Sequence, residues 1–232
     1  NPLTDEYSRF GTFDQLPENN REQPKGLIGE IAASQHEQGS IAQKIGDLYN
    51  LAMDTEKLNK DGMAPIKEDL EKINAINDKA GIIQAMAELA GSAYFQFYVG
   101  ADIMDSKTNI FQLYQGGIGL GEKEYYLEDD EATKKIRDGY KAHIVKMFQL
   151  IGQDEKQATK SMEAVMEIET RLAKKSFSAV EQRNPAANYH MLTLDELKKQ
   201  IPGFDWDAYI NAVGVKGVTS LNVSQIEPVQ EA

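Results

Sequence analysis

Two long stretches in the second half of the chain have the apolar spacing of amphipathic helices, and this feature constrains the fold most. In the first stretch the apolar positions are Ile136, Tyr140, Ile144, Met147 and Ile151. In the second stretch they are Met162, Val165, Ile168 and Leu172. A helix with one apolar side has to bury that side against another element. We therefore predict an antiparallel helical hairpin that turns at Gly152-Gln153-Asp154.

Weaker helical patterns fill most of the remaining sequence. They predict helices over residues 13–34, 40–58, 65–76, 78–90, 193–200 and 205–213. Residues 95–102 alternate apolar and polar side chains, and residues 110–114 follow after a polar turn, which predicts a β-hairpin. Residues 176–191 are predicted to be irregular, and the tail from residue 215 onward is β-prone at most. The predicted fold class is mainly α, a multi-helix lobe with one small β-hairpin.

The 232-residue chain carries a formal net charge of −12 and contains no cysteine. Nucleic-acid binding draws its affinity from Lys and Arg side chains that neutralise phosphates, so this acidic composition argues against a nucleic-acid partner. Without cysteine, the sequence offers neither a disulfide nor a thiolate ligand for zinc. No stretch reaches the ~18 consecutive apolar residues of a transmembrane helix, so we expect no membrane-spanning segment.

The three histidines do not have the spacing of a metal site. His36 begins the run His-Glu-Gln-Gly-Ser, whereas a zinc-peptidase helix needs a second histidine four residues after the first. Ser40 stands at that position, so a loop histidine is the simpler interpretation. His143 lies beside an apolar helix face and His190 in an irregular segment, where hydrogen bonds to neighbouring groups account for both. We expect no metal ligand and no catalytic residue within this chain.

Two further segments suggest binding or catalysis, but their details favour structural roles. Residues 116–121 are rich in glycine, yet they lack GxGxxG spacing and no Lys-Ser/Thr follows them, which favours a turn over a phosphate loop. An acidic run spans residues 122–131 and is typical of a solvated face or of a helix N-terminus. Paired catalytic acids of the glycosidase type stay open as an alternative, although nothing in the run selects a pair.

Arg9 and Asp14 lie five residues apart near the start of the chain. A guanidinium binds a carboxylate through two parallel hydrogen bonds, which would suit recognition of a peptide's C-terminus. By themselves, the two residues are better explained as an ordinary surface ion pair.

Five short groups of residues are distributed along the chain, and the order in which they occur is informative. They are Asn1-Pro2 with Ser8-Arg9-Phe10-Gly11-Thr12-Phe13-Asp14, Gln43-Lys44-Ile45-Gly46-Asp47-Leu48-Tyr49, Gly116-Gly117-Ile118-Gly119-Leu120-Gly121 with Tyr125-Tyr126-Leu127, Glu169-Thr170-Arg171-Leu172-Ala173, and Arg183-Asn184-Pro185 with Phe204-Asp205-Trp206. In this order they resemble segments of the neprilysin and endothelin-converting-enzyme family of zinc metallopeptidases. Phe10 departs from the Trp or Tyr of the family, and the absence of cysteine resembles a bacterial member.

The resemblance implies a two-lobed, mostly helical metalloendopeptidase in which a zinc-activated water attacks peptide substrates. In the family, the zinc ligands lie on HExxH and ExxxD helices of the C-terminal half, and neither motif occurs here as a usable pair. We therefore expect an N-terminal part that shapes the substrate chamber and is inactive alone, with zinc bound only in the full-length enzyme. The expected partners are peptide substrates and the C-terminal catalytic lobe of the same protein.

The resemblance also assigns roles along the chain. Arg9 matches an arginine implicated in binding the substrate's C-terminal carboxylate, and Asp14 matches an acidic neighbour implicated with it. Residues 1–14 would be an extended lead-in linking to the catalytic lobe, residues 15–214 a helical covering lobe, and residues 215–232 a linker toward the C-terminal half. The expected location is the bacterial cell envelope, periplasmic or secreted, with the cytoplasm as the alternative. The alternative function is a free-standing helical binding or scaffold module.

Overall fold

The computed structural model describes residues 11–89 and 93–232, which belong to two compact units. The first unit covers residues 1–66 and the second covers residues 67–232. Most of the predicted lead-in therefore lies outside the described part of the chain.

The described part of the first unit is helical. Its elements are α1 (Thr12–Ala33), α2 (Ile41–Met53), α3 (Thr55–Asp61) and a 3-10 turn at Ala64–Ile66. The first of these confirms the helix predicted for residues 13–34, and it continues through Pro17 and Pro24. The Ser40 hydroxyl caps α2 by accepting a hydrogen bond from the Gln43 N–H at 3.2 Å. The sequence pattern therefore identified where this helix begins, with Ser40 as its N-cap.

The prediction of one helix over residues 40–58 is wrong, because the chain leaves the helical conformation at Asp54. The backbone of this residue has ψ of 80°, and its carboxylate accepts a hydrogen bond from the Lys57 N–H at 2.8 Å. An aspartate that satisfies the first N–H groups of a new helix competes with continuation of the previous one. The apolar periodicity alone does not reveal this break.

The second unit contains most of the helices in the described part of the chain. They are α4 (Lys67–Asn74), α5 (Lys79–Glu88), α6 (Glu124–Leu127), α7 (Glu131–Leu150), α8 (Glu155–Lys175), α9 (Ala179–Gln182), α10 (Leu194–Gln200), α11 (Trp206–Ala212) and α12 (Ile226–Glu231). The mainly helical fold class is thereby confirmed. Helix α12 lies in the tail that was expected to be β-prone at most, and α9 lies in a segment predicted to be irregular.

Helices α7 and α8 pack against each other, which confirms the predicted hairpin. Gly152 occupies the turn with φ of 98°, a left-handed conformation that glycine adopts without strain. The Asp130 carboxylate caps α7 by accepting the Thr133 N–H at 3.0 Å, and the Asp154 carboxylate caps α8 in the same way. The hydrogen bonds from Thr133 lower the pKa of Asp130. The acidic run thus supplies a helix N-terminus.

A four-stranded sheet lies beside these helices. Its strands are β1 (Phe95–Ala101), β2 (Asn109–Gln115), β3 (Met191–Thr193) and β4 (Ser220–Val223), in the spatial order β1-β2-β4-β3. Strands β1 and β2 form the predicted antiparallel hairpin, β2 pairs with β4 in parallel, and β4 pairs with β3 antiparallel. The sequence prediction was incomplete here, because strands of three or four residues are too short to show an alternation.

One face of this sheet forms the main core of the second unit. Its inward side chains include Phe95, Phe97, Phe111, Leu113, Leu221 and Val223. They pack on Trp206 and Tyr209 of α11, and the rings of Phe95 and Trp206 lie 5.5 Å apart between centroids. The opposite face carries Gln112 and Asn222, which are also buried, together with the apolar Ile110. The main core therefore lies on one face of the sheet and a buried polar pair on the other, and the glycine-rich segment follows β2.

Candidate functional site

The glycine-rich segment between β2 and α6 packs closely against its neighbours because it has few side chains. Gly117 has φ of 76°, and a Cβ on it would lie 2.6 Å from the Ala93 carbonyl oxygen and 2.8 Å from Leu172 Cδ1. A Cβ on Gly119 would lie 2.0 Å from the Tyr140 hydroxyl oxygen. The segment is therefore a close-packed structural turn, in agreement with the sequence-based interpretation.

A carboxylate with two tyrosine partners lies directly beside this turn. Glu169 of α8 accepts hydrogen bonds from the Tyr126 hydroxyl at 2.6 Å and from the Tyr140 hydroxyl at 3.0 Å. The Tyr126 oxygen in turn accepts the Leu120 N–H at 2.9 Å. Burial and the bond to Glu169 raise the pKa of Tyr126, and burial with the negative charge of Glu169 raises the pKa of Tyr140 to about 12. Both tyrosines therefore remain protonated donors at neutral pH.

A cavity of ≈ 390 Å³ lies against this cluster. The backbone of residues 116–119 forms part of its wall, and the polar side chains around it are Gln96, Tyr114, Gln115, Glu169, Ser176 and Gln182. The described lining residues include no histidine, lysine or arginine. A phosphate would meet the negative charge of Glu169 here, which argues against a phosphate loop. The cavity can form hydrogen bonds. Its carboxylate, Glu169, is already bonded to two tyrosines, and the Ser176 hydroxyl donates to the Leu172 carbonyl oxygen, so the two are not arranged as a base and a nucleophile.

A second cavity, of ≈ 480 Å³, opens beside the main core. Its apolar lining includes Ile82, Ile83, Met86, Phe95, Phe204 and Trp206. The Arg171 guanidinium and the Glu231 carboxylate also line it, and they bind each other with an Nη2–Oε1 distance of 2.7 Å. Lys79 lines the cavity as well, so it combines an apolar wall with three charged side chains.

A buried polar network holds the short strands together on the other face of the sheet. The Asn222 amide of β4 donates to Gln112 Oε1 at 2.9 Å and accepts the His190 N–H at 2.7 Å. Asn222 and Gln112 are 4% and 3% exposed, so these bonds replace contacts with water. This network joins residues far apart in sequence, and its role is structural.

The structure describes one of the two predicted substrate-binding residues, Asp14, but not the other, Arg9. Asp14 lies half-buried in the first turn of α1, where the helix dipole favours a negative charge. A Cβ on Gly11 would lie 3.5 Å from Asp14 Oδ2, so the carboxylate is close to the start of the helix. Arg9 lies outside the described residues, and its action together with Asp14 stays a prediction.

The histidines bind neighbouring backbone groups or face solvent. His36 Nε2 lies 2.9 Å from the Ile31 carbonyl oxygen, and His190 Nδ1 lies 2.9 Å from that of Val223. His143 is exposed on α7. Within residues 11–89 and 93–232, no group of three or more His, Asp or Glu side chains could hold a metal ion. The described residues therefore do not fit a zinc site.

Among residues 11–89 and 93–232, no helix combines the length and the apolar character that crossing a membrane requires.

The Glu169 cluster was not identified from the sequence, although signals for it were present. Tyr126 and Glu169 belong to two of the residue groups that carry the family resemblance, and Tyr140 lies on the apolar stripe of α7. A glutamate in the helix that pairs with α7 would have to find donors there, because a half-buried carboxylate needs hydrogen-bonding partners. Pairing α7 and α8 in register would have brought Tyr140 and Glu169 together, whereas Tyr126 comes from α6.

Comparison with known proteins agrees with the fold and with the residue groups. The model of peptidase family M13 matches residues 1–232. Endothelin-converting enzyme 1 from Rattus norvegicus is 29% identical over 241 residues, which cover 99% of this chain. Neprilysin-3 from Drosophila melanogaster is 26% identical over 231 residues, which cover 94% of this chain and 29% of that protein. These matches confirm the resemblance noted in the sequence.

A solved structure shows the same arrangement of elements. The open state of the zinc metalloprotease Zmp1 from Mycobacterium tuberculosis superposes with a TM-score of 0.82 at 27% identity, covering 99% of this chain and 36% of that chain. The present chain spans only 30% of the length of the rat endothelin-converting enzyme. Because the family match extends over every residue of the chain, this protein belongs to peptidase family M13 and corresponds to the N-terminal part of its members.

Proposed function

We propose that residues 1–232 form the N-terminal, substrate-chamber part of a zinc-dependent metalloendopeptidase that hydrolyses peptides. The supporting observation is the family match along the whole chain, together with its coverage of 30% of the length of a curated relative. The described residues include no cluster suited to a metal, so the zinc ligands and catalytic groups would belong to a C-terminal lobe of the same protein. The 232-residue chain would then be inactive by itself.

The contribution of this chain would be to bind and orient the substrate. Arg9 would bind the C-terminal carboxylate of a peptide, and Asp14 would assist by fixing the position of the guanidinium. Residues 1–14 and 215–232 would link to the catalytic lobe, and residues 15–214 would cover the chamber. Holding a substrate in a reactive geometry lowers the barrier of a reaction without supplying a chemical group.

The packing of the second unit is consistent with this positioning role. Capped helices α7 and α8 and the four-stranded sheet hold the glycine-rich turn and Glu169 in fixed positions. Neither of the two cavities described above is lined by a histidine. The location that we propose for the full-length protein is the bacterial cell envelope, periplasmic or secreted, which rests on the family resemblance and on the bacterial origin of the solved structure that it matches.

The experiment compares the 232-residue chain with the longest protein that the same gene encodes. Both are purified, their zinc content is measured, and hydrolysis of an unstructured peptide is followed with and without a metal chelator. We expect the longer protein to contain an HExxH motif, to bind zinc and to cleave the peptide in a chelator-sensitive manner. The shorter chain should bind no stoichiometric zinc and should cleave nothing.

Two results would refute this proposal. Chelator-sensitive hydrolysis by the purified 232-residue chain would show that its own residues form the active site. A gene that ends at residue 232, or continues without a zinc motif, would instead favour a free-standing helical binding or scaffold module.

A further inference from the structure

Helix α2 carries its apolar residues in one continuous stripe. The stripe consists of Ile41, Ile45, Leu48 and Ala52. The spacing of four, three and four residues places these side chains on one side of a helix, over its whole length. Such a stripe is normally buried, because each large apolar side chain gains stability when it leaves water.

The stripe faces away from α1, the helix that packs on α2 in the described part of the first unit. A Cβ on Gly46 would lie 3.4 Å from Ala32 Cα, and the Asn50 amide donates to the Ala32 carbonyl oxygen at 3.2 Å. Gly46 and Asn50 lie about 140° and 180° around the helix from Ile41. The contact with α1 therefore uses the small and polar side of α2.

The exposure of the side chains agrees with this geometry. Ile41 is 78% exposed and Leu48 is 68% exposed, whereas Ile45, between them, is 37% exposed. Elsewhere in this unit, Phe13, Leu27 and other large apolar side chains are also exposed. An apolar patch that covers several turns of a helix on a folded protein marks a surface that another element covers.

The relatives indicate where the covering element comes from. This chain aligns over 99% of its length but covers only 30% of rat endothelin-converting enzyme 1 and 36% of the Zmp1 chain, so most of each related polypeptide lies outside the aligned region. A segment of the same polypeptide is present at an effective concentration of roughly millimolar, which favours it over a second molecule. The helical spacing of the stripe favours another helix, because helices pack ridges into grooves.

We propose that the stripe on α2 is covered by an amphipathic helix from the part of the full-length polypeptide outside residues 1–232. This inference rests on the proposed function, in which the chain is the N-terminal part of a longer enzyme. The surface on α2 would therefore join this lobe to the remainder of the protein. An isolated 232-residue chain would leave the stripe in water.

The test uses the absence of cysteine from this chain. Leu48→Cys is introduced into the 232-residue chain and into the full-length protein, in a background without other cysteines, and the rate of reaction with a thiol reagent is measured. Asp47→Cys is the matched control, since Asp47 is exposed on the same helix but lies off the stripe. We expect Leu48→Cys to react about ten-fold more slowly in the full-length protein, because a buried thiol is inaccessible. Asp47→Cys should react at similar rates in both.

A second variant tests the same surface without labelling. Leu48→Lys should lower the melting temperature of the full-length protein and leave that of the 232-residue chain unchanged, whereas Val180→Lys, at another exposed position, should change neither. Equal labelling of Leu48→Cys in both proteins would overturn the inference. If Leu48→Cys became protected in the 232-residue chain as the protein concentration rises, the surface would be assigned to a second copy of the chain. That result would also overturn the inference.

The proposed function and this inference can fail separately. A full-length protein that protects Leu48→Cys but hydrolyses no peptide refutes the proposed function alone. A zinc-dependent peptidase in which Leu48→Cys stays reactive refutes the docking surface alone.

Discussion

The close packing of the glycine-rich turn leads to a sharp prediction for Gly117→Ala. An alanine Cβ at this position would lie 2.6 Å from the Ala93 carbonyl oxygen and 2.8 Å from the Tyr94 Cα, and both of these are backbone atoms that cannot rotate away. Gly117 also has φ of 76°, in the left-handed region that alanine avoids. The substitution therefore combines a backbone clash with conformational strain.

The two contributions have separate magnitudes. A non-glycine residue in the left-handed region costs about 1–2 kcal/mol, and inserting a methyl group into a packed site costs about 1–3 kcal/mol. Together they predict a loss of about 2–5 kcal/mol in the free energy of unfolding. Gly121→Ala is the matched control, because Gly121 has φ of 84° but no atom lies within 4 Å of its added Cβ. This control should lose about 1–2 kcal/mol from strain alone.

Urea unfolding measures both variants. The chain has one tryptophan, Trp206, which is 1% exposed in the core of the second unit, so its fluorescence reports on the unfolding of this unit. With a denaturant dependence of about 2 kcal/mol per molar urea, the midpoint for Gly117→Ala should fall by about 1–2.5 M. If Gly117→Ala and Gly121→Ala shift the midpoint equally, the turn is not packed against Ala93 and Tyr94, and the reasoning is refuted.

Three other predictions concern stability and binding. Burial raises the pKa values of Tyr140 and Tyr209 from the ordinary 10.0 to about 12. As the pH rises, these tyrosines therefore ionise in the unfolded chain before they ionise in the folded one. The stability that they contribute below pH 10 should be lost between pH 10 and 12. Urea midpoints measured up to pH 12 check this, and a midpoint independent of pH would contradict it. Asn222→Ala removes the hydrogen-bonding partner of the His190 N–H and of the buried Gln112 Oε1 and should cost about 2–4 kcal/mol in urea unfolding, whereas Asn211→Ala, at an exposed position, should cost little. In the full-length enzyme, Arg9→Ala should weaken peptides with free C-termini by about 1–3 kcal/mol more than amidated peptides, as measured by Kd, and equal effects would indicate a structural arginine.

Local sequence information was sufficient to predict those elements whose structure depends mainly on residues within the same stretch of chain. The apolar spacing of α7 and α8 requires helices, and Asp130 and Asp154 supply the caps that begin them. The alternation in β1 and β2 likewise identified the hairpin. In these elements the side chains that form the structure are neighbours in sequence, so their pattern is readable before the fold is known.

The sequence did not reveal features that depend on hydrogen bonds competing with, or lying far from, the local apolar pattern. Strand β4 forms because its backbone and Asn222 bind β2, which precedes it by about one hundred residues. The break between α2 and α3 depends on Asp54, whose capping role competes with an apolar pattern that continues across it. Glu169 became recognisable only when α6 and α7 placed Tyr126 and Tyr140 around it.

The sequence by itself determined the helical character of the protein, its principal hairpins and its family, because these depend on local periodicity and on the order of short residue groups. Only the tertiary structure decided which apolar stripes are buried. The spacing is equally clear in α2 and α8, yet Leu172 is 2% exposed and Leu48 is 68% exposed. Periodicity shows that a helix has an apolar side, but burial depends on whether another element lies against that side. The sequence of a single helix does not contain that information.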